Sequence, residues 1–219
     1  MNKRLFLLLF IFLFAGCASI PTSATVSDKI PISERGEKIS KVIGLYVPEK
    51  SKTYVAKQFV RKDVGMSKDG LVFTLDFGRN FEANAINSLG KIFLDVVLLA
   101  NMEDNIKKYS HVIQIDIDDR TNFDIGIFAF SEKTVNLYMR CKLFNASGKL
   151  LWEETFDSAA SRSNIKGILA GGGILIGGIW GTYARQAGLD KLQEAAEESL
   201  WANLEMLNTR MLENKALFK

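Results

Sequence analysis

Residues 134–156, TVNLYMRCKLFNASGKLLWEETF, hold two alternating runs joined by Asn145-Ala-Ser-Gly148. Alternation with a period of two marks a strand with one buried face. A glycine closing a short polar turn supplies the positive φ that a tight hairpin needs. Leu137, Met139, Cys141 and Leu143 fall on one face, and Asn136, Tyr138, Arg140 and Lys142 on the other. The chain is therefore built around an antiparallel hairpin.

Other segments supply partners for it. In KVIGLYVPEK, Val42, Ile43, Leu45, Tyr46 and Val47 form a short buried strand stopped by Pro48. Extended segments are expected at 53–63, at 71–77 with Leu71, Phe73, Leu75 and Phe77 on one face, at 111–118 and at 122–130. Gly78 breaks the strand before it, and Asn80 is placed to cap a helix. From Phe81, the apolar residues Ala85, Ile86, Leu89, Ile92, Phe93, Val96, Val97 and Ala100 keep the i, i+3, i+4, i+7 spacing of a helix of about five turns. Glu82, Asn84, Asn87, Lys91 and Asp95 face away from that stripe. A second amphipathic helix is expected from about residue 189, with Leu189, Leu192, Ala196, Leu200, Leu204, Leu207 and Met211 inward. The order predicts an α+β fold, an antiparallel or mixed sheet of about five to six strands covered by two helices, with a glycine-rich apolar insertion before the C-terminal helix.

The N-terminus sets the compartment. Lys3 and Arg4 precede an unbroken apolar run from Leu5 to Phe14, the layout of a secretory signal peptide and too short to span a bilayer. Phe14-Ala15-Gly16-Cys17 resembles the bacterial lipobox, with Phe14 standing where an aliphatic residue is usual. On that reading residues 1–16 are the signal peptide and Cys17 carries the lipid. Residues 17–40, polar and without evident periodicity, form a lipidated N-terminus and flexible tether. Residues 41–219 form a single α+β domain. Several acyl chains on Cys17 would hold the protein to a membrane far more firmly than one. Ala18, not Asp, follows the cysteine, which points to the periplasmic face of the outer membrane rather than the inner membrane.

The composition speaks against several function classes. The net charge of +3 falls by two when Lys3 and Arg4 leave, so nucleic acid is not an expected partner. His111 is the only histidine, which excludes a multi-imidazole metal site, and no HExxH, CxxC, GxSxG or P-loop occurs. Its place at the start of HVIQIDI reads as structural. Asp116, Asp118 and Asp119 read as a solvated strand face running into a turn, with calcium binding as the sharper alternative. With Cys17 lipidated, Cys141 has no disulfide partner and reads as a small buried apolar residue. No cofactor, metal or catalytic group is expected, and the chain reads as a non-enzyme.

The lipobox FAGC, the early strand KVIGLYVPE, the helix segment FEANAINSLGKIFLDVVLL and the hairpin LFNASGKLLWEETF together resemble a group of bacterial periplasmic lipoproteins. These share a domain like the N-terminal domain of TolB and include CsgG, PelC and the YajG-like lipoproteins. The resemblance covers roughly residues 41–210. It implies a non-enzymatic assembly or export accessory of a cell-envelope machine, as a homo-oligomer or in an envelope complex. The alternative is an auxiliary lipoprotein of a lipid or lipopolysaccharide transport system that binds an amphiphile.

Residues 167–184 are uncharged and glycine-rich. Eighteen residues is the lower limit for a spanning helix, and each glycine costs a helix about 1 kcal/mol against alanine. Gly173, Gly177 and Gly181 fall at i, i+4, i+8, a smooth stripe that a second backbone could approach, beside Trp180. Three readings stay open: an apolar hairpin or helical pair that inserts shallowly or packs on neighbouring subunits, a buried connection, and a transmembrane helix.

Overall fold

The computed structural model describes residues 22–36, 38–60, 71–102, 106–125, 132–162 and 179–219, with side chains in the last helix from Gln186 onward. In chain order the elements are β1 (Ser23–Thr25), β2 (Ile39–Tyr46), α1 (Glu49–Lys52), β3 (Val55–Val60), β4 (Leu71–Asp76), α2 (Gly78–Leu89) and β5 (Phe93–Leu98). A 3-10 turn (Ile106–Lys108) leads into β6 (His111–Ile117), β7 (Asn122–Asp124), β8 (Lys133–Asn145) and β9 (Leu150–Arg162). The chain closes with α3 (Ile179–Glu213) and a second 3-10 turn (Lys215–Phe218).

The fold is α+β with mixed sheets. The main sheet has six strands in the order β5-β2-β6-β8-β9, with β7 pairing β8 beyond the end of β6. Strands β5, β2 and β6 are parallel, and β8 runs antiparallel to β6. A smaller sheet, β1-β4-β3, stands beside it. Gln58 on β3 joins the two sheets, donating to Asp124 and accepting from the Ile125 amide.

The hairpin forms as its alternation dictates. Val135, Leu137, Met139, Cys141 and Leu143 are buried while Asn136, Tyr138, Arg140 and Lys142 are half-buried. Gly148 takes φ +79°, and Asn145 Oδ1 accepts the amides of Ser147 and Lys149 across the turn. Helix α3 covers the buried face with Leu189, Leu192, Ala196, Leu200, Leu204, Leu207 and Met211. It starts at Ile179, ten residues ahead of the expected start at 189, so Trp180 and Gly181 lie in its first turn. Of the strand expected at 122–130, Asn122–Asp124 is extended and 126–130 lie outside the described residues.

Expectations for two segments are corrected. The five-turn helix from Phe81 ends at Leu89, and Phe93–Leu98 is the parallel edge strand β5. Ile92, Phe93, Val96 and Val97 suit a strand as well as a helix, and β-branched valines beside a phenylalanine favour the strand once β2 is there to pair. Helix α2 also begins before Asn80. Its N-cap residue is Phe77, and Asp76 Oδ1 accepts the Arg79 amide at 3.0 Å. Gly78 is required at that turn, because a Cβ there would sit 2.4 Å from the Tyr54 backbone nitrogen.

The second correction concerns the tether. From Thr22 to Gly36 the chain is part of the folded body. Ala24, Val26, Ile30 and Ile32 are buried, and Ser23–Thr25 pairs in parallel with β4.

Candidate functional site

The described part of the N-terminal segment is a strap lying against α2 and α3. It makes few backbone hydrogen bonds of its own, so side chains satisfy its polar groups. Asn80, Asn84 and Asn87, at i, i+4 and i+7 on α2, form one polar stripe. Asn84 is fully buried, accepts the Ile30 amide at 3.2 Å and donates to the Ser27 carbonyl at 2.8 Å. Asn80 donates to the Val26 carbonyl and Asn87 to that of Ile30.

Helix α3 clasps the other side of the strap. Glu197 accepts the Ser27 amide at 3.0 Å and Glu205 accepts the Ser33 amide at 2.7 Å. Glu205 also pairs with Arg35. Burial pushes the Glu205 carboxyl up, but the Ser33 donors and Arg35 outweigh it and its pKa lies below the ordinary value.

Asp116 on β6 and Asp118 just after it do not form a solvated face, whereas Asp119 is exposed. Asp116 and Asp118 are 6% and 9% exposed. Asp118 accepts from Arg120 Nε at 2.9 Å, from the Arg120 amide at 3.0 Å and from Arg140 Nη2 at 2.7 Å. Arg120, above all, holds its pKa down at about 2. Arg120 in turn lies 4.7 Å over the Tyr138 ring. Arginines thus occupy the place a cation would take, and no group of three or more metal-binding side chains occurs among the described residues.

His111 is 7% exposed and packs 5.1 Å from the Phe218 ring, and burial lowers its pKa. Cys141 is free and fully buried, which pushes its thiol up. Both residues are buried.

None of the lipid-attachment and contact residues expected from sequence has a described side chain. Cys17, Gly173 and Gly177 lie outside the described residues, and Trp180 and Gly181 are described as helical backbone only. The bordering elements are informative. Strap and α3 run in the same direction, since Ser27 meets Glu197, Ser33 meets Glu205 and Arg35 meets Thr209. Thr22 therefore lies toward the N-terminal part of α3. Arg162, the last residue of β9, pairs with Lys133 at the start of β8, and a Cβ on Gly188 of α3 would lie 3.4 Å from Lys133 Cε. Both borders of segment 163–178 thus meet the end of the molecule where the strap begins. The sequence signal for this strap was the set of buried even-numbered residues Ala24, Val26, Ile30 and Ile32, broken at Asp28.

No family model and no curated protein sequence matches the chain. Among solved structures it is similar to a Xanthomonas campestris protein of family DUF330, at 11% identity over 85% of this chain and 92% of that one, with a TM-score of 0.47. It is also similar to a PelC dodecamer from Paraburkholderia phytofirmans, at 14% identity over 75% and 92% of the two chains, TM-score 0.30. A minor lipoprotein from Acinetobacter baumannii aligns at 12% identity over 76% and 94%, TM-score 0.31. These are loose likenesses. Among the described residues, no helix is long and apolar enough to cross a membrane.

Proposed function

We propose that this chain is a periplasm-facing lipoprotein, anchored through Cys17 to the outer membrane, that serves as a non-enzymatic assembly or export accessory of a cell-envelope machine. The observation that carries the proposal is the FAGC lipobox placed five residues ahead of a strap clasped along α3. The strap starts at the same end of the fold as the borders of the apolar glycine-rich segment. An anchor five residues away reaches at most about 17 Å from Thr22, which keeps that end of the domain near the lipid surface. The stripe Gly173, Gly177 and Gly181, with Trp180, is then the surface for contact with neighbouring subunits or the membrane.

Metabolic labelling with a fatty acid tests the anchor. Label is expected on the wild-type protein and not on Cys17→Ala, which should also leave the membrane fraction; label retained by the variant overturns the anchor. Crosslinking and size measurement of the detergent-extracted protein test the assembly. A defined oligomer is expected, weakened by Gly177→Leu, and a monomer in both proteins defeats the assembly role.

A further inference from the structure

The opposite end of the fold carries a different surface. Because β2, β5 and β6 are parallel and β8 returns antiparallel, the starts of those three strands, the β8–β9 turn and the C-terminal end of α3 lie together. A cleft of about 640 Å³ opens there between residues 38–41 and 212–219, within the size range of small-molecule sites.

Its floor is carbon: Ile39, Leu212, Ala216 and Phe218. Phe218 is 2% exposed and is held between the Phe93 and His111 rings, each 5.1 Å away, so the floor is rigid. Its rim is cationic, with Lys38, Lys41, Lys215 and Lys219. Lys107 and Lys108 before β6, and Lys149 in the hairpin turn, add positive charge at the same end. The one carboxylate side chain lining the cleft, Glu213, pairs with Arg210 at 2.9 Å, a guanidinium it shares with Glu154. Lysine cations still outnumber anions if a carboxylate at Lys219 and the negative end of the α3 dipole are counted.

We infer that this cleft binds an anionic phospholipid, with the phosphate among the lysine ammonium groups and part of one acyl chain over Ile39, Leu212 and Phe218. The chemistry selects this ligand over an acidic peptide, because a floor of Ile39, Leu212, Ala216 and Phe218 offers no side-chain partners for a peptide's polar groups. The cleft lies about 36 Å along α3 from Gly188. Under the anchor reading it faces away from the anchoring leaflet, so its lipid is one in transit between envelope layers. Lipid binding itself does not depend on that reading, and a failed fatty-acid labelling of Cys17 leaves it standing.

Full-length protein in dodecyl maltoside, given a trace of diazirine-tailed phosphatidylglycerol and irradiated, tests the assignment by peptide mapping. Adducts are expected within 38–41 and 212–219, at least about fivefold more than with the phosphatidylcholine analogue. Lys41→Glu with Lys219→Glu should cut them by at least about fivefold, with the far-ultraviolet circular dichroism unchanged. Adducts spread over the chain, equal labelling by phosphatidylcholine, or labelling untouched by the double variant each overturn the proposal.

Discussion

Asp118 shows how a single residue changes meaning between sequence and fold. Its neighbours in sequence are acidic, and only the pairing of β6 with β8 brings Arg140 opposite Asp116 and within reach of Asp118. Nothing local in HVIQIDIDD names that partner, so the cluster reads from sequence as solvated or cation-binding. The pairing has a pH signature. Asp118 titrates at about 2 when folded against 3.8 ordinarily. A depressed carboxylate contributes stability that is fully present above the ordinary pKa and is lost as pH falls through the folded one. Asp118→Asn should therefore cost about 1–2 kcal/mol at pH 7, since both arginines are part-exposed and screened. The deficit should shrink between pH 4 and pH 2 as the wild type loses its own contribution. Urea unfolding at pH 7, 4 and 2.5 checks this, and a deficit that stays constant across the three assigns the cost to packing instead. His111 and Cys141, by contrast, were legible as structural residues, because an apolar strand context is enough to bury them.

At the scale of elements, strong periodicity was legible and mutual dependence was not. The β8–β9 hairpin and the inward stripe of α3 follow from spacing alone. The helix expected through Ala100 failed because residues 92–97 are a nearly continuous apolar run, which suits a short strand as well as a helix, and pairing with β2, a long-range fact, decided for the strand. The strap escaped for the opposite reason. Its inward residues are sparse, and its polar groups are satisfied by Asn84 and Glu205, which lie more than fifty residues away in sequence. That dependence makes the strap separable from the rest of the fold. Asn84→Ala removes one acceptor and one donor used by Ile30 and Ser27, at a cost of about 2 kcal/mol. Trypsin should then cut faster after Lys29 and Arg35 than in the wild type. Amide protection in β8 and β9 should be unchanged, because those strands hold each other. Hydrogen exchange with peptide mapping reads both, and a parallel loss of protection in β8–β9 would show that strap and hairpin unfold as one unit.

On the scale of the whole molecule, the two ends are chemically unlike. One end gathers the start of the strap and the borders of the apolar glycine-rich segment; the other gathers the lysines and the Phe218 cleft. From Gly188 to Leu212 the axis of α3 separates them by about 36 Å, longer than the thickness of a bilayer's hydrocarbon core. An anchor on Cys17 with only five residues to Thr22 should therefore orient the domain and leave little free tumbling. Single cysteines placed at Gln186 and at Lys149 and labelled with a small fluorophore report the two ends. The buried Cys141 should not compete for label. In vesicles carrying spin-labelled lipid, fluorescence at Gln186→Cys should be quenched several-fold more than at Lys149→Cys. Lengthening the chain between Ala18 and Thr22 by ten glycine-serine residues should erode that difference, since a flexible insert of this length adds about 16–19 Å of reach. If both positions are quenched alike without the insert, the strap does not orient the domain. The lysine cleft would then meet the lipids of the anchoring leaflet directly.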